Sequence, residues 1–163
     1  MKIKPLDYSH WPAVSKIYTE GIKTKMATFE TTCPSWEEWD LHHHKFCRFV
    51  ICEENNVIGW TALLPVSKRM VYKGVAEVSI YISSESQGKG VGKLLMLHLL
   101  NEVEKFGIYT LQCSLFPENQ ISRALHSACG FREIGYREKV AKSGNEWRNT
   151  ILMERRSKSE KFN

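Results

Sequence analysis

Residues 78 to 100, VSIYISSESQGKGVGKLLMLHLL, connect a strand-like segment to a helix-like one through a turn with three glycines. The first part alternates in polarity with a period of two, whereas leucines recur at helical spacing in the last part. Gly88, Gly90 and Gly92 have no Cβ, so a tight turn there leaves the backbone open to a ligand. A helix that begins near Lys89 points free amides and the positive end of its dipole into the turn. This arrangement predicts a phosphate-binding junction between a strand and a helix.

The glycine spacing excludes the two most common phosphate loops. The Walker pattern GxxxxGK[ST] is absent, and GKGVG lacks the GxGxxG pattern with a later ribose-binding acid. We therefore predict that the loop binds the pyrophosphate of another kind of cofactor. The alternative is that the glycines serve only as a structural turn.

The rest of the chain reads as strands and helices that alternate without an internal repeat. Ser35 and Glu38 form a capping box at the start of one helix, and residues 76–82 alternate so that Glu77 faces away from the apolar Val78 and Ile80. This order predicts one mixed α/β domain. The predicted strands are residues 2–6, RFVICEE, VIGWTALLP, VAEVSIYI, 108–115 and a terminal hairpin from 131 to 154; the predicted helices are SHWPAVSKIYTEGI, PSWEEWDLHHHKF, the segment after the glycine turn and residues 120–128.

Length and composition fit a single globular domain. The chain has 163 residues, of which 42% are hydrophobic, and we assign residues 1–156 to the domain and predict a disordered tail at 157–163. The formal net charge of +5 comes from cations that are interspersed with acids. Cations do not cluster with aromatic residues as nucleic-acid binding requires, so nucleic acid is not an expected partner.

The cysteines and the apolar segments predict a cytoplasmic protein with no membrane partner. The five cysteines are odd in number and contain no CxxC pair, as is usual for reduced thiols. The start, MKIKPLDYSHW, has no apolar signal core, and no run approaches the roughly 20 apolar residues of a membrane span. The three histidines at 42–44 point about 100° apart on a helix, so no metal site is expected.

Several separated motifs resemble one family. QGKGVG, from Gln87 to Gly92, resembles the Q/RxxGxG/A acetyl-CoA motif of the GNAT superfamily of N-acetyltransferases. The resemblance extends to the phosphinothricin acetyltransferase branch and spans residues 3 to 156. It implies a GNAT fold, in which helices flank a mixed central sheet, and direct acetyl transfer from acetyl-CoA. The segments that carry it are ATFET at 27–31, AEVSIYIS at 76–83, LFPEN at 115–119, LHSACGF at 125–131 and EWRNTILMERR at 146–156.

The resemblance also implies which residues hold acetyl-CoA. In the family the loop amides grip the pyrophosphate, and the backbone of the strand that matches Val78 to Ile82 contacts the acetyl and pantetheine portions. An irregular or splayed strand end is expected at this point. Asn119 is expected to contact pantetheine, although asparagine is also an ordinary helix cap. The implied binding residues are Ile80, Tyr81, Ile82, Gln87, Gly88, Lys89, Gly90, Val91, Gly92, Lys93 and Asn119.

Two residues are candidates for catalysis. Glu77 matches the catalytic glutamate of the family and would help an alkylammonium acceptor to lose its proton. A solvent-facing glutamate on a strand is the alternative. His126 occupies a position, four residues before Gly130, at which many relatives have a tyrosine. It is either the acid that protonates the departing thiolate or a packed helix residue. Cys113 and Cys129 could be nucleophiles in a ping-pong reaction, but buried packing is the preferred interpretation.

Three residues are candidates for binding the acceptor amine. Arg69 and Tyr72, in the loop PVSKRMVYKG, match in their spacing from Glu77 positions that hold the acceptor in the phosphinothricin branch. A guanidinium can bind a carboxylate through two parallel hydrogen bonds. Phe29, next to Thr28, resembles a wall of the acceptor pocket. An ordinary cationic surface loop and a helix connection are the respective alternatives.

These observations together predict an acetyl-CoA-dependent N-acetyltransferase that acts on a small amino acid or analogue. Phosphinothricin and methionine sulfoximine or sulfone are the acceptors that the resemblance suggests, and it also implies a homodimer. One alternative is a protein or peptide N-acetyltransferase, which needs an open groove instead of a closed pocket. Another is a non-catalytic acyl-CoA sensor, which the presence of Glu77 disfavours.

Overall fold

The computed structural model describes residues 1–163 and confirms the predicted fold class. Each predicted strand and helix is present. The strands are β1 (Lys2–Pro5), β2 (Phe49–Glu53), β3 (Asn56–Pro65), β4 (Val75–Ile82), β5 (Thr110–Leu115), β6 (Arg132–Ser143) and β7 (Glu146–Arg156); the helices are α1 (Trp11–Lys23), α2 (Trp36–His42), α3 (Val91–Val103) and α4 (Gln120–Ala128).

The seven strands form one sheet in the order β1-β2-β3-β4-β5-β7-β6. Every neighbouring pair is antiparallel except β4 and β5, which are parallel because α3 crosses over between them. The β4–β5 pairing covers only Val75–Glu77 and Thr110–Gln112. Beyond this point the two strands separate, which opens the middle of the sheet.

Both faces of the sheet are covered, so β4 contributes side chains to two cores. On one face Ala76 and Val78 pack with the α3 residues Met96 and Leu99, and Leu125 of α4 adds to this cluster. On the other face Tyr81 packs against a second cluster, which is formed mainly by α1, α2, β2 and β3. The predicted alternation along this strand is therefore confirmed. Glu77 shares the face of Tyr81, away from α3.

Helix capping follows the sequence at α2, whereas α3 begins later than the sequence predicts. Ser35 and Glu38 form the predicted capping box of α2. Asp7 caps a short 3₁₀ turn at Tyr8–His10 that precedes α1. Helix α3 begins at Val91, two residues later than expected, because Gly90 is left-handed (φ 78°) and ends the turn before it.

The C-terminal segment, for which the sequence predicts disorder, makes defined contacts in this structure. Ser157 is buried and its hydroxyl donates a hydrogen bond to Glu104. A 3₁₀ turn at Glu160–Phe162 follows, and the Phe162 ring lies 5.6 Å from that of Tyr109. No helix has both the length and the apolar character that crossing a membrane requires.

Candidate active site

The candidate site lies where β4 and β5 diverge. From Val78 to Ile82 the backbone of β4 pairs with β3 along one edge, and its other edge is no longer covered by β5. The β3–β4 register is continuous, so the divergence arises without a bulge. A free strand edge presents backbone amides and carbonyls that can hydrogen bond to a ligand. The splayed strand end that the family resemblance implies is therefore present.

The glycine turn follows at the end of this open edge. Gly88 and Gly90 adopt φ values of 73° and 78°, and a Cβ built on either residue meets nothing within 4 Å. Gly90 is the N-cap of α3 and has no side chain to bond the first-turn amides. The exposed side chain of Gln87 donates to the Ile82 carbonyl and ties the turn to β4. Bare backbone and a helix N-terminus beside the exposed Lys89 fit a pyrophosphate group.

Gly92 has a different role from the other two glycines. It lies within α3 with an ordinary helical conformation, and a Cβ there would sit 3.1 Å from Leu125 Cδ2. The missing side chain allows α3 and α4 to pack closely. Its position in the first turn still leaves its amide available to a ligand. The absence of a Cβ at Gly92 therefore serves helix packing, and only its backbone amide is a candidate contact for a ligand.

Glu77 lies at the point where the two strands separate. Its side chain is half-buried and accepts one hydrogen bond, from Gln112 Nε2 at 3.3 Å. Gln112 is also its register partner on β5. A carboxylate has about four lone-pair sites, so one long hydrogen bond leaves it able to accept a proton. The geometry is that of a carboxylate held at the base of a cleft.

His126 is packed in the protein interior and does not fit the role of an acid. Only 2% of the residue is exposed, and the ring meets Phe131 edge-on at 5.0 Å. Nδ1 lies 2.8 Å from the Ser122 carbonyl. Because a carbonyl can only accept, Nδ1 carries the hydrogen and the buried Nε2, which has no partner, does not. Burial lowers the pKa of His126, so the ring stays neutral and has no proton to give at Nε2. The packed-helix alternative describes this residue better.

Asn119 caps α4 and also binds the segment that follows α1. Its Oδ1 accepts a hydrogen bond from the Ser122 amide at 3.1 Å, as an N-cap does. Its Nδ2 donates to the Met26 carbonyl at 3.0 Å, across 93 residues of sequence. The amide retains one free hydrogen, so contact with pantetheine stays a prediction.

Residues 24–35, which we call the α1–α2 loop, bridge the gap between the two diverging strands. Phe29 packs edge-on against Phe116, just past β5, with ring centroids 4.8 Å apart. Thr28 lies beside the Tyr18 and Tyr81 hydroxyls on the β4 side. Burial raises the pKa of Tyr18 to about 12 and also raises that of Tyr81, so both hydroxyls remain protonated donors at neutral pH.

The structure leaves Arg69 and Tyr72 exposed on the connection between β3 and β4. The Arg69 guanidinium lies 5.7 Å from the Tyr72 ring centroid, and Tyr72 is 44% exposed within a 3₁₀ turn at Met70–Tyr72. This connection leads into the start of β4, two residues before Glu77. The geometry leaves the guanidinium accessible to a ligand but does not bring it into contact with Glu77.

The cysteines do not resemble nucleophiles. Cys113 and Cys129 are buried, and burial raises the pKa of the Cys113 thiol to about 12 and also raises that of Cys129. A thiol reacts as its thiolate, which is scarce at neutral pH under these conditions. All five cysteines are free. No three histidine, cysteine, aspartate or glutamate side chains converge as a metal site would need.

Comparisons with known proteins agree with this geometry. The family model described as acetyltransferase (GNAT) family matches residues 11–131. Phosphinothricin N-acetyltransferase of Alcaligenes faecalis is 29% identical over 150 residues, which cover 88% of this chain and 76% of that protein. L-Methionine sulfoximine/L-methionine sulfone acetyltransferase of Salmonella typhimurium is 24% identical over 106 residues, 64% of this chain and 62% of that protein.

A solved structure extends the similarity to nearly the whole fold. The crystal structure of a phosphinothricin acetyltransferase of the GNAT superfamily from Sinorhizobium meliloti, in complex with acetyl-CoA, has a TM-score of 0.84 and 27% sequence identity. The match covers 95% of this chain and 87% of that one.

Proposed function

The chain belongs to the acetyltransferase (GNAT) family and is an acetyl-CoA-dependent N-acetyltransferase, and we propose that its acceptor is the amine of a small amino acid or analogue. The observation that carries this proposal is the free edge of β4, which begins at Glu77 and ends at the glycine turn. A base, a line of backbone groups and an anion site thus follow one another along one strand and its turn.

We assign each part of this site one task. Glu77 accepts the proton of the acceptor ammonium, directly or through water, and the amine nitrogen then attacks the thioester carbonyl. Backbone groups along Val78–Ile82 stabilise the charge that develops on the carbonyl oxygen. The carbon–sulfur bond breaks and coenzyme A leaves as a thiolate, which takes up, directly or through water, the proton that the nitrogen loses as it becomes an amide. The raised pKa of Cys113 supports direct transfer because it disfavours a covalent acetyl-cysteine step.

The proposed acceptor class is supported by the names of two relatives and by Arg69 in the connection between β3 and β4. Phosphinothricin and methionine sulfoximine or sulfone, after which the Alcaligenes faecalis and Salmonella typhimurium relatives are named, are amino-acid analogues. Each has a carboxylate beside its amine, and Arg69 supplies an accessible guanidinium that can bind it. The α1–α2 loop, which bridges the cleft through Thr28 and Phe29, favours a small acceptor over an extended peptide.

Arg69→Ala tests this acceptor class. We expect the variant to lose about tenfold or more in kcat/KM for methionine sulfone, because a hydrogen bond to a charged group contributes roughly 1.5–3 kcal/mol. Arg69→Lys should restore charge but not the two-pronged geometry. The methyl ester of methionine sulfone should be a poor substrate of the unmodified enzyme. The measurement is kcat/KM with saturating acetyl-CoA.

The matched control is Lys68→Ala, which removes the neighbouring cation of the same loop. It should change kcat/KM for methionine sulfone much less than Arg69→Ala does. Spermidine should be rejected, because Lys68, Arg69 and Lys73 repel a polycation. A preference for spermidine or for a short peptide that is insensitive to Arg69 would exclude the amino-acid acceptor.

We also propose that the protein is a cytoplasmic homodimer. Five free cysteines fit a reducing compartment. Strand β6 forms an edge of the sheet, and the β6–β7 hairpin exposes Ile134, Tyr136 and Trp147, which supports packing against a second copy. Light scattering on protein purified from the cytosolic fraction should give twice the mass of the chain, and Tyr136→Glu should lower it. A monomeric unmodified protein would contradict the dimer.

A further inference from the structure

Arg148 makes contacts that link three separate parts of the fold. It lies on β7, and only 17% of its side chain is exposed. Nη1 donates to the Lys25 carbonyl at 3.3 Å, and Nη2 lies 3.5 Å from the Glu118 carboxylate. The guanidinium carbon sits 3.9 Å from the Phe116 ring centroid. One side chain therefore joins the terminal hairpin, the segment before α4 and the α1–α2 loop.

A second side chain forms a hydrogen bond to the α1–α2 loop at the same point. Asn119 donates to the Met26 carbonyl, directly after the Lys25 carbonyl that Arg148 binds. Lys25 itself adopts φ 56°, a conformation that residues other than glycine seldom adopt. The end of α1 supports this conformation, because the Lys25 amide donates to the Ile22 carbonyl at 3.0 Å. Two side chains from the far side of the cleft also bind adjacent carbonyls at this point of the loop.

These contacts lead to the candidate acceptor wall. Arg148 packs on Phe116, and Phe116 packs edge-on against Phe29. The next residue toward the N-terminus, Thr28, reaches the tyrosine hydroxyls on the β4 side. The loop thus has contacts on both sides of the cleft, and Arg148 supplies one of those on the side of β7 and α4.

We propose that Arg148 is a positioning residue that holds the α1–α2 loop in place over the acceptor site. The expected effect on acceptor binding rests on the proposed function, whereas the effect of Arg148 on the loop can be measured in the protein without substrates. Arg148 acts through Phe116 and the loop, because its guanidinium faces the Lys25 carbonyl, the Glu118 carboxylate and the Phe116 ring. Arginine suits the position because its planar fork reaches a carbonyl and a carboxylate at once, whereas lysine presents a single point charge.

The test combines a structural and a kinetic readout on Arg148→Lys and Arg148→Met. Hydrogen–deuterium exchange of residues 24–35, without substrates, should accelerate by about tenfold or more in both variants, the scale of losing one hydrogen bond to a charged group. The KM for methionine sulfone should rise by a similar factor, while the KM for acetyl-CoA should stay within about twofold of its original value.

Arg132→Met is the matched control. Arg132 lies on the same hairpin and pairs with Glu154 at 3.1 Å, but it is 71% exposed and does not contact the loop. It should change neither readout. If Arg148→Met does not fold, Arg148→Lys decides the outcome alone.

Unchanged exchange of residues 24–35, or an equal rise in both KM values, would overturn the positioning role. Failure of the proposed function looks different. In that case the unmodified enzyme would acetylate no amino acid, yet the exchange measurement would still report whether Arg148 holds the loop.

Discussion

Glu77→Gln is expected to lower kcat/KM for the acceptor by about 10²–10⁴, the usual contribution of general acid–base catalysis. Glutamine keeps the size of the side chain and can still pair with Gln112, but it cannot accept the proton of the ammonium. Acetyl-CoA affinity should be preserved, since Glu77 lies at the other end of β4 from the glycine turn. Steady-state kinetics and calorimetry separate the two effects.

The loss should depend on pH in a defined direction. An acceptor amine that is protonated at low pH needs a base, whereas one that is already neutral at high pH does not. The defect of Glu77→Gln should therefore be largest at low pH and should shrink as pH rises through the pKa of the acceptor amine.

His126→Phe serves as the control for this experiment. His126 is a neutral, packed ring, so its replacement should cost less activity and should leave the shape of the pH profile unchanged. A Glu77→Gln enzyme with the original turnover and pH profile would show that Glu77 is not the base. A water molecule acting alone would then be the better explanation.

Gly90→Val is expected to weaken acetyl-CoA binding by about tenfold or more while the fold is retained. The new side chain would project into the open space of the turn, where we place the pyrophosphate. It would also strain the backbone, because φ is 78° and left-handed conformations cost roughly 1–2 kcal/mol for residues with a Cβ. Calorimetric titration with acetyl-CoA measures the first effect and thermal unfolding the second.

The chain offers a close control in Gly107→Val. Gly107 has φ 79° and also no neighbouring atom within 4 Å of a built Cβ, but it follows the C-terminal end of α3. Both variants should therefore lose similar stability, and only Gly90→Val should lose affinity. Equal acetyl-CoA affinities in the two variants would remove the pyrophosphate from this turn.

The helices whose bounds are determined by capping residues and by the spacing of apolar residues could be predicted from the sequence. Helix α4 has the predicted bounds because Asn119 caps it and its apolar residues recur at helical spacing. The capping box at Ser35 likewise fixed the start of α2. Helix α3 starts later than predicted because the left-handed conformation of Gly90 belongs to the turn. A glycine in the sequence permits that conformation but does not specify it.

The candidate site was predicted less completely, because several of its contacts join distant parts of the chain. Arg148 and the Lys25 carbonyl are 123 residues apart, and no local pattern relates them. Tyr18 lies on the apolar face of α1 and Phe116 directly follows β5, so nothing in the sequence distinguished them as neighbours of the α1–α2 loop. His126 matched a family position, but its burial against Phe131 depends on how α4 packs on the sheet. Motif spacing can identify a position, whereas tertiary packing decides its chemistry.

The identity of the reaction product is the most direct test of the proposed function. The protein is incubated with acetyl-CoA and L-methionine sulfone, and mass spectrometry of the acceptor is combined with measurement of released coenzyme A. We predict one acetyl group on the α-amine for each coenzyme A released, in a reaction that Glu77→Gln suppresses. Acetylation of a peptide, with no product from methionine sulfone or phosphinothricin, would contradict the proposal.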